Sequence, residues 1–307
     1  MGELVPAFAR HARRASARPP WPHTPNLQPP TSNLRPVSPS LLRHNSCVTI
    51  GLLFVVAFLG GALNAVAGGG SFLTLPTLLY AGVLPVSANA TSTFAMWPAS
   101  VASAFAYRKE IGRARTWMVR LGAISLVGGL LGGLLLVRTS DESFVRLLPW
   151  LMLVAAATFS FGGRLTAWAR ARRGEQGSGT PAYAAPDHVR IPAWTLPLQL
   201  VIATYGGYFG GGMGIMMLAA MAVAGMTDMH EMNALKTVLA ISINGVALAA
   251  FIVSGSISWA PGIVMVLGGI CGGYAGASLA RRVAGPAVRR IVIIVAWTMT
   301  GYFFWRR

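Results

Sequence analysis

From about residue 50 to residue 305 the chain is a succession of long apolar runs parted by short polar segments. They lie at roughly 50–82, 86–107, 117–137 and 144–163, then at roughly 196–225, 232–253, 259–280 and 288–305. A helix rises about 1.5 Å per residue, so about 20 mostly apolar residues cross about 30 Å of hydrocarbon. The runs are continuous, not alternating, which favours helices over a barrel. The pattern predicts an all-α polytopic membrane protein of about eight transmembrane helices. All eight acidic residues fall outside or at the edges of these runs, where a carboxylate keeps its water.

The pattern also recurs. Gly68-Gly69-Gly70-Ser71 matches Gly211-Gly212-Met213-Gly214, and Tyr80-Ala81-Gly82-Val83 matches Val223-Ala224-Gly225-Met226, both at an offset of 143. Asn89-Ala90-Thr91-Ser92-Thr93 matches Asn233-Ala234-Leu235-Lys236-Thr237 at an offset of 144, and GG-x-x-GG stands at 128–133 and 268–273. Self-similarity at a fixed period reads as a duplicated unit: one four-helix repeat over 48–165, a cytoplasmic linker over 166–195, and a second four-helix repeat over 196–307. The first helix of each repeat carries its glycine cluster near the middle. Each glycine there costs about 1 kcal/mol relative to alanine, so both first helices are expected to break. Residues 1–47, with Arg10, Arg13, Arg14, Arg18 and a proline-rich stretch from Pro19 to Pro39, hold no run able to span or to build a core and read as a disordered tail.

Apolar residues make up 54% of the chain and charged ones 11%, a balance foreign to soluble proteins. The formal charge of +17, from 23 Arg and two Lys against eight acidic residues, would point to nucleic acid in a soluble protein. Here the arginines cluster between the apolar runs, the charge layout of a multi-pass protein, and no nucleic-acid partner is expected. Retaining basic loops in the cytoplasm puts the N-terminus, Arg108 to Arg115 and Arg164 to Arg173 inside. Eight crossings then carry Arg281, Arg282, Arg289 and Arg290 outside, against the rule. The count places both termini inside and leaves that conflict standing. Cys47 and Cys271 stand too far apart for any spacing argument.

In lipid, unwound backbone survives only where it is packed in protein or faces a wet cavity, so paired breaks point to a midplane site between the repeats. Gly68, Gly69, Gly70 and Ser71, with Gly210, Gly211, Gly212 and Gly214, are the expected lining. The half-helix after each break presents free N–H groups, which attract anions. Asn64, on the half-helix before the first break, is a further polar candidate, as is Asn244. Asn89 and Asn233 are read as helix caps, with Ser92, Thr93 and Thr237 facing the bundle. Lys236 either balances an anion or snorkels to water, the second being preferred. The GG-x-x-GG glycines read as one packing face. All five histidines lie in the tail or loops and no paired carboxylates occur, so no catalytic residue, metal site or cofactor is expected. Asp228, His230 and Glu231 remain as gate candidates at a loop edge.

These residues resemble the TauE/SafE family of sulfite and organosulfonate exporters. The resemblance covers roughly residues 50–305 and is carried by Gly60-Gly61-Ala62-Leu63-Asn64-Ala65-Val66-Ala67-Gly68-Gly69-Gly70-Ser71 with Leu75-Pro76, by Ala88 to Thr93, by Tyr205-Gly206-Gly207-Tyr208-Phe209-Gly210-Gly211-Gly212 and by Asn233-Ala234-Leu235-Lys236. It implies a bacterial inner-membrane protein that moves a small anion, a sulfur oxyanion, sulfonate or carboxylate, outward across the cytoplasmic membrane. A non-transporting membrane scaffold or assembly factor is the alternative. The expected partners are the lipid bilayer and the anion, with self-association into a homo-oligomer left open.

Overall fold

The computed structural model describes residues 46–106, 115–171, 192–226, 228–279 and 285–305. Among them stand ten helices: α1 (Ser46–Ala67), α2 (Ser71–Tyr80), α3 (Pro85–Ala106), α4 (Arg115–Val137), α5 (Asp141–Ala171), α6 (Thr195–Tyr208), α7 (Met213–Ala224), α8 (Met229–Val253), α9 (Trp259–Leu279) and α10 (Gly285–Trp305). Secondary structure among the described residues is entirely helical apart from turns. The expected disorder of the tail falls on residues that, up to 45, lie outside those described. So do the basic segments 107–114, 172–191 and 280–284.

Five helices are long and apolar enough to cross a membrane, with spans Val48–Ala65, Trp117–Val137, Asp141–Leu165, His230–Val253 and Trp259–Gly276. Their outward faces are oily: Leu126, Val127, Leu130, Leu131, Leu134 and Leu135 on α4 are all exposed, as are Ile263, Leu267 and Ile270 on α9. A soluble protein does not leave such surface in water, whereas acyl chains cover it without cost. α3 is as long as α1 but more polar. It buries Asn89, Thr91, Ser92, Ser100 and Ser103, and lies against α8 and α9 instead of facing outward.

Both glycine-rich segments break as expected, and both fold back. α3 runs parallel to α1: Asn64 donates to Ser100 at 3.0 Å, and a Cβ on Gly60 would stand 3.7 Å from Met96 Sδ, the same 36-residue offset. The segment joining two parallel neighbours must return between them. α2 is that return, with Thr74 beside Gly60 and Gly70 beside Asn64. α6 and α8 are likewise parallel, because both run in the direction of α4. Gly128 meets Leu200 and Ala203 while Gly132 meets Thr204 and Tyr208; Gly129 meets Ile243 while Gly133 meets Ala247. α7 is the second return, with Met213 against Gly206 and Met217 Sδ 3.6 Å from Gln199 Nε2. Each broken first helix is thus a hairpin. The sequence pattern, which reads each as one kinked crossing, has no term for a reversal of direction at a glycine pair.

The GG-x-x-GG motifs also act differently from a single packing face. Adjacent glycines lie about 100° apart around a helix, so each motif presents two columns. On α4, Gly128 and Gly132 admit α6 while Gly129 and Gly133 admit α8. On α9, Gly268 and Gly272 admit α1 at Phe54 and Phe58, while Gly269 and Gly273 admit α3 at Ala95 and Ala99. A Cβ on Gly132 or Gly272 would overlap the carbonyl oxygen of Thr204 or Phe58. α4 and α9 are therefore wedges, each holding a hairpin arm and its parallel partner at backbone contact.

Candidate functional site

The tips of the two hairpins meet. Gly68, at φ 78°, follows the last residue of α1, and a Cβ there would stand 3.1 Å from the Cα of Gly214 in the first turn of α7. Gly210 and Gly212 take φ 81° and 82° in the second tip. Only glycine occupies this left-handed region without strain. A Cβ on Gly210 would face Ser71 Oγ at 3.8 Å, and one on Gly212 would press on Ala155 of α5 at 3.0 Å. The tips are thus fitted to one another and to the surrounding helices with no room for side chains.

Beside this junction is a small cavity of about 20 Å³, lined by Asn64, Ala65, Gly68, Ser100, Ser103, Met213, Gly214, Lys236, Thr237 and Ala240, enough for about one water. Lys236 projects from α8, is 3% exposed and has no hydrogen-bond partner for its Nζ. It does not snorkel. Its turn of α8 is enclosed by the tips and α3, so the stem has no apolar path to the surface. An isolated cation in such surroundings is costly unless something pairs with it. Around it, the Asn64 amide donates to Ser100 Oγ, Ser100 and Ser103 donate to Met96 O and Ala99 O, and Thr237 donates to Asn233 O. These hydroxyls keep acceptor and rotational freedom toward the cavity. In the opening turns the N–H groups of Phe72 and Leu73 bond Gly69 O and Gly70 O, and those of Ile215 and Met216 bond Gly212 O, so it is the first residues of α7, Met213 and Gly214, that bring the helix end to the cavity wall.

Of the residues singled out from sequence, Asn64, Gly68, Gly214, Lys236 and Thr237 come together here. Gly69, Gly70, Ser71, Gly210, Gly211 and Gly212 build the tips behind it. Ser92 Oγ and Thr74 Oγ1 stand 2.6 Å apart, tying α3 to α2, and Thr93 bonds back to Asn89 O. Asn89 and Asn233 are not helix caps. α3 begins four residues earlier at Pro85, and Asp228 caps α8 by accepting from His230 N at 2.7 Å and Glu231 N at 3.4 Å. Asn89 instead donates from Nδ2 to Tyr208 O at 2.8 Å, clamping the end of α6 where the second tip opens, and its Oδ1 is buried without a donor. Asp228, a gate candidate from the sequence, serves as the cap of α8. Ser100 and Ser103 went unnoticed in the sequence, because serines inside an apolar helix look alike wherever they point. Tyr205, quoted there only in a motif, places its hydroxyl 2.8 Å from Gly211 O and 3.0 Å from Leu151 O, fastening the second tip to α5.

Comparison with known proteins finds relatives among membrane transporters. The model of the family described as Sulfite exporter TauE/SafE matches residues 53–303. A "Probable membrane transporter protein" of Haemophilus influenzae is 30% identical over 257 residues, covering 82% of this chain and 92% of that protein. The Escherichia coli "Probable membrane transporter protein YfcA" is 27% identical over 260 residues, covering 83% and 89%. "Probable membrane transporter protein ORF9" of a Sinorhizobium species is 25% identical over 250 residues, covering 80% and 89%. No solved structure matches the chain.

Proposed function

The chain belongs to the sulfite exporter TauE/SafE family, and from that premise we propose that this multi-pass membrane transporter carries a small anion outward across the cytoplasmic membrane. The cargo is a sulfur oxyanion such as sulfite, an organosulfonate, or a related carboxylate. The observation that carries the reading is Lys236: a buried amine without a partner, beside a cavity where two glycine tips meet. An anion seated there, once the tips part to widen the cavity, pairs with the amine and meets the N-terminal dipole of α7. It accepts from the second amide hydrogen of Asn64, and from Ser100, Ser103 and Thr237 as their hydroxyls rotate off the backbone carbonyls.

The two halves, 48–165 and 196–307, supply in this reading the two units that alternate access around the cavity. Their packing interlocks them through one exchanged helix each, so what moves around the cavity is α1–α3 with α9 against α4 with α6–α8. α9 of the second half packs on α1 and α3 of the first, and α4 of the first packs on α6 and α8 of the second. The test is flux from proteoliposomes loaded with sulfite, isethionate or acetate. Wild-type protein releases at least one of them, and a K236M variant of normal folding releases it at least tenfold more slowly. Equal rates for the two proteins would remove Lys236 from the reading. No flux of any of these anions from folded wild-type protein would return the non-transporting scaffold.

A further inference from the structure

The direction of every helix follows from its contacts, and with it the face on which each connection lies. α3 runs opposite to α8, since Trp97 donates to Ile241 O and meets Gly245 while Ser100 and Ser103 share a cavity with Lys236 and Thr237. α4 and α6 run with α8, and α9 runs with α1 and α3. α5 turns back from α4 across residues 138–140, and α10 runs opposite to α5, with Trp150 against Phe304 and Ser160 bonded to Trp297. The near face, where α1 begins, therefore holds the turns 81–84, 138–140 and 254–258 and the end of α10. Val86 N bonding Asp141 Oδ1 at 2.8 Å joins two of these turns directly, and Thr49 and Ile50 line one groove with Gly82, Leu84 and Ser258. The far face holds the ends of α3, α5, α7 and α9.

Charge separates the connections between helices on the two faces, while Arg35 and Arg43 before α1 and Arg306 and Arg307 after α10 adjoin near-face helix ends. The segments joining helix ends on the far face carry Arg108, Lys109 and Arg113, then Arg172, Arg173 and Arg190, then Arg281 and Arg282, whereas the three near-face turns carry Arg138 alone. Basic residues in short connections stay in the cytoplasm. The return helices also have a telling length. α2 and α7, of ten and twelve residues, are about 15 and 18 Å long at the ordinary rise, about half the hydrocarbon thickness.

We propose that the far face is cytoplasmic and that α3, α4, α5, α8, α9 and α10 carry the chain from one face to the other, while α1, whose 22 residues are long enough to span, is returned to its own face by the shorter α2. The other two elements are re-entrant hairpins, α1–α2 dipping in from outside and α6–α7 from the cytoplasm, whose tips meet at the cavity as its two doors. The count of eight sent Arg281, Arg282, Arg289 and Arg290 outside because it drew α6–α7 as one crossing. Folding that segment back reverses everything after it, and all three arginine-rich segments come to the same side. The start of α1 and the end of α10 lie on the outer side. The cavity lies at the tips and nearer the cytoplasmic face: Ser103 is three residues from the end of α3 and Lys236 seven from the start of α8, about 5 and 10 Å. Cargo is loaded under the arginine-rich face, and α1–α2 is the door that must move to release it. The roles of the doors rest on the transport reading; the topology does not.

The experiment places single cysteines in a C47S/C271S background and treats whole cells, then inverted vesicles, with a membrane-impermeant maleimide. L84C, S140C and S256C are labelled in whole cells, H230C and S103C only in inverted vesicles, and a C-terminal alkaline phosphatase fusion is active. Labelling of H230C in whole cells, or of S256C only in inverted vesicles, overturns the topology whether or not the protein transports anything. With those two as expected, S103C reacting only from outside overturns the loading side alone.

Discussion

Lys236 ties local chemistry to function at the scale of single residues. A long cationic side chain with no partner is held inside the bundle against its solvation preference, so its removal has two opposite signs. In the absence of anion, K236M raises the thermal midpoint in detergent, because an uncompensated polar end is replaced by an apolar one of similar length. In the presence of sulfite or its true relative, the wild-type midpoint rises while that of K236M does not. A K236M protein that melts lower and transports normally would make the lysine structural. Asn89 makes a different kind of contribution, one hydrogen bond from α3 to the end of α6. N89A is expected to lower stability by about 1 kcal/mol and to slow transport through loosening of the second tip, read as a fall in midpoint together with flux. D228A, which removes only the cap of α8, should cost about 1 kcal/mol and leave flux per folded molecule unchanged.

At the scale of elements, glycines decide which helices touch and how closely. Gly272 has the Phe58 carbonyl where a Cβ would stand, while Gly122 on α4 has nothing within 4 Å of that position. G272A therefore forces α9 off α1 and is expected to cost about 1–3 kcal/mol, the range for overpacking. G122A should be neutral or stabilising by up to about 1 kcal/mol through helix propensity. The comparison of their melting curves checks the wedge geometry, and equal effects would refute it. G68A meets both a left-handed φ and the Gly214 backbone, so it should weaken the tip junction more than either. Helix existence was legible in sequence because apolar runs of this length have few other uses. The two breaks were legible because three neighbouring glycines disfavour helix. The reversal at each break was not, since composition says where a helix stops but not which way the chain leaves.

For the whole molecule, the ligand that binds only the folded state must stabilise it. At a hundred times its dissociation constant the cargo should add about 2.7 kcal/mol, so a thermal-shift series over sulfur oxyanions, sulfonates and carboxylates ranks the candidates, and a flat response across all three classes would count against an anion site. Sequence alone settled that this chain belongs in a bilayer, that it is helical, that it breaks at Gly68–Gly70 and Gly210–Gly212, and which family it resembles. Each of these depends on local hydrophobicity, local backbone preference or a contiguous motif. Tertiary structure alone decided that the breaks are hairpin tips touching one another, that Lys236 turns inward, that Ser100 and Ser103 join it, and that Asn89 reaches Tyr208 and is no cap. Those facts concern residues tens to more than a hundred positions apart, and their pairing is set by which helix faces pack together, a quantity that no single stretch of chain contains.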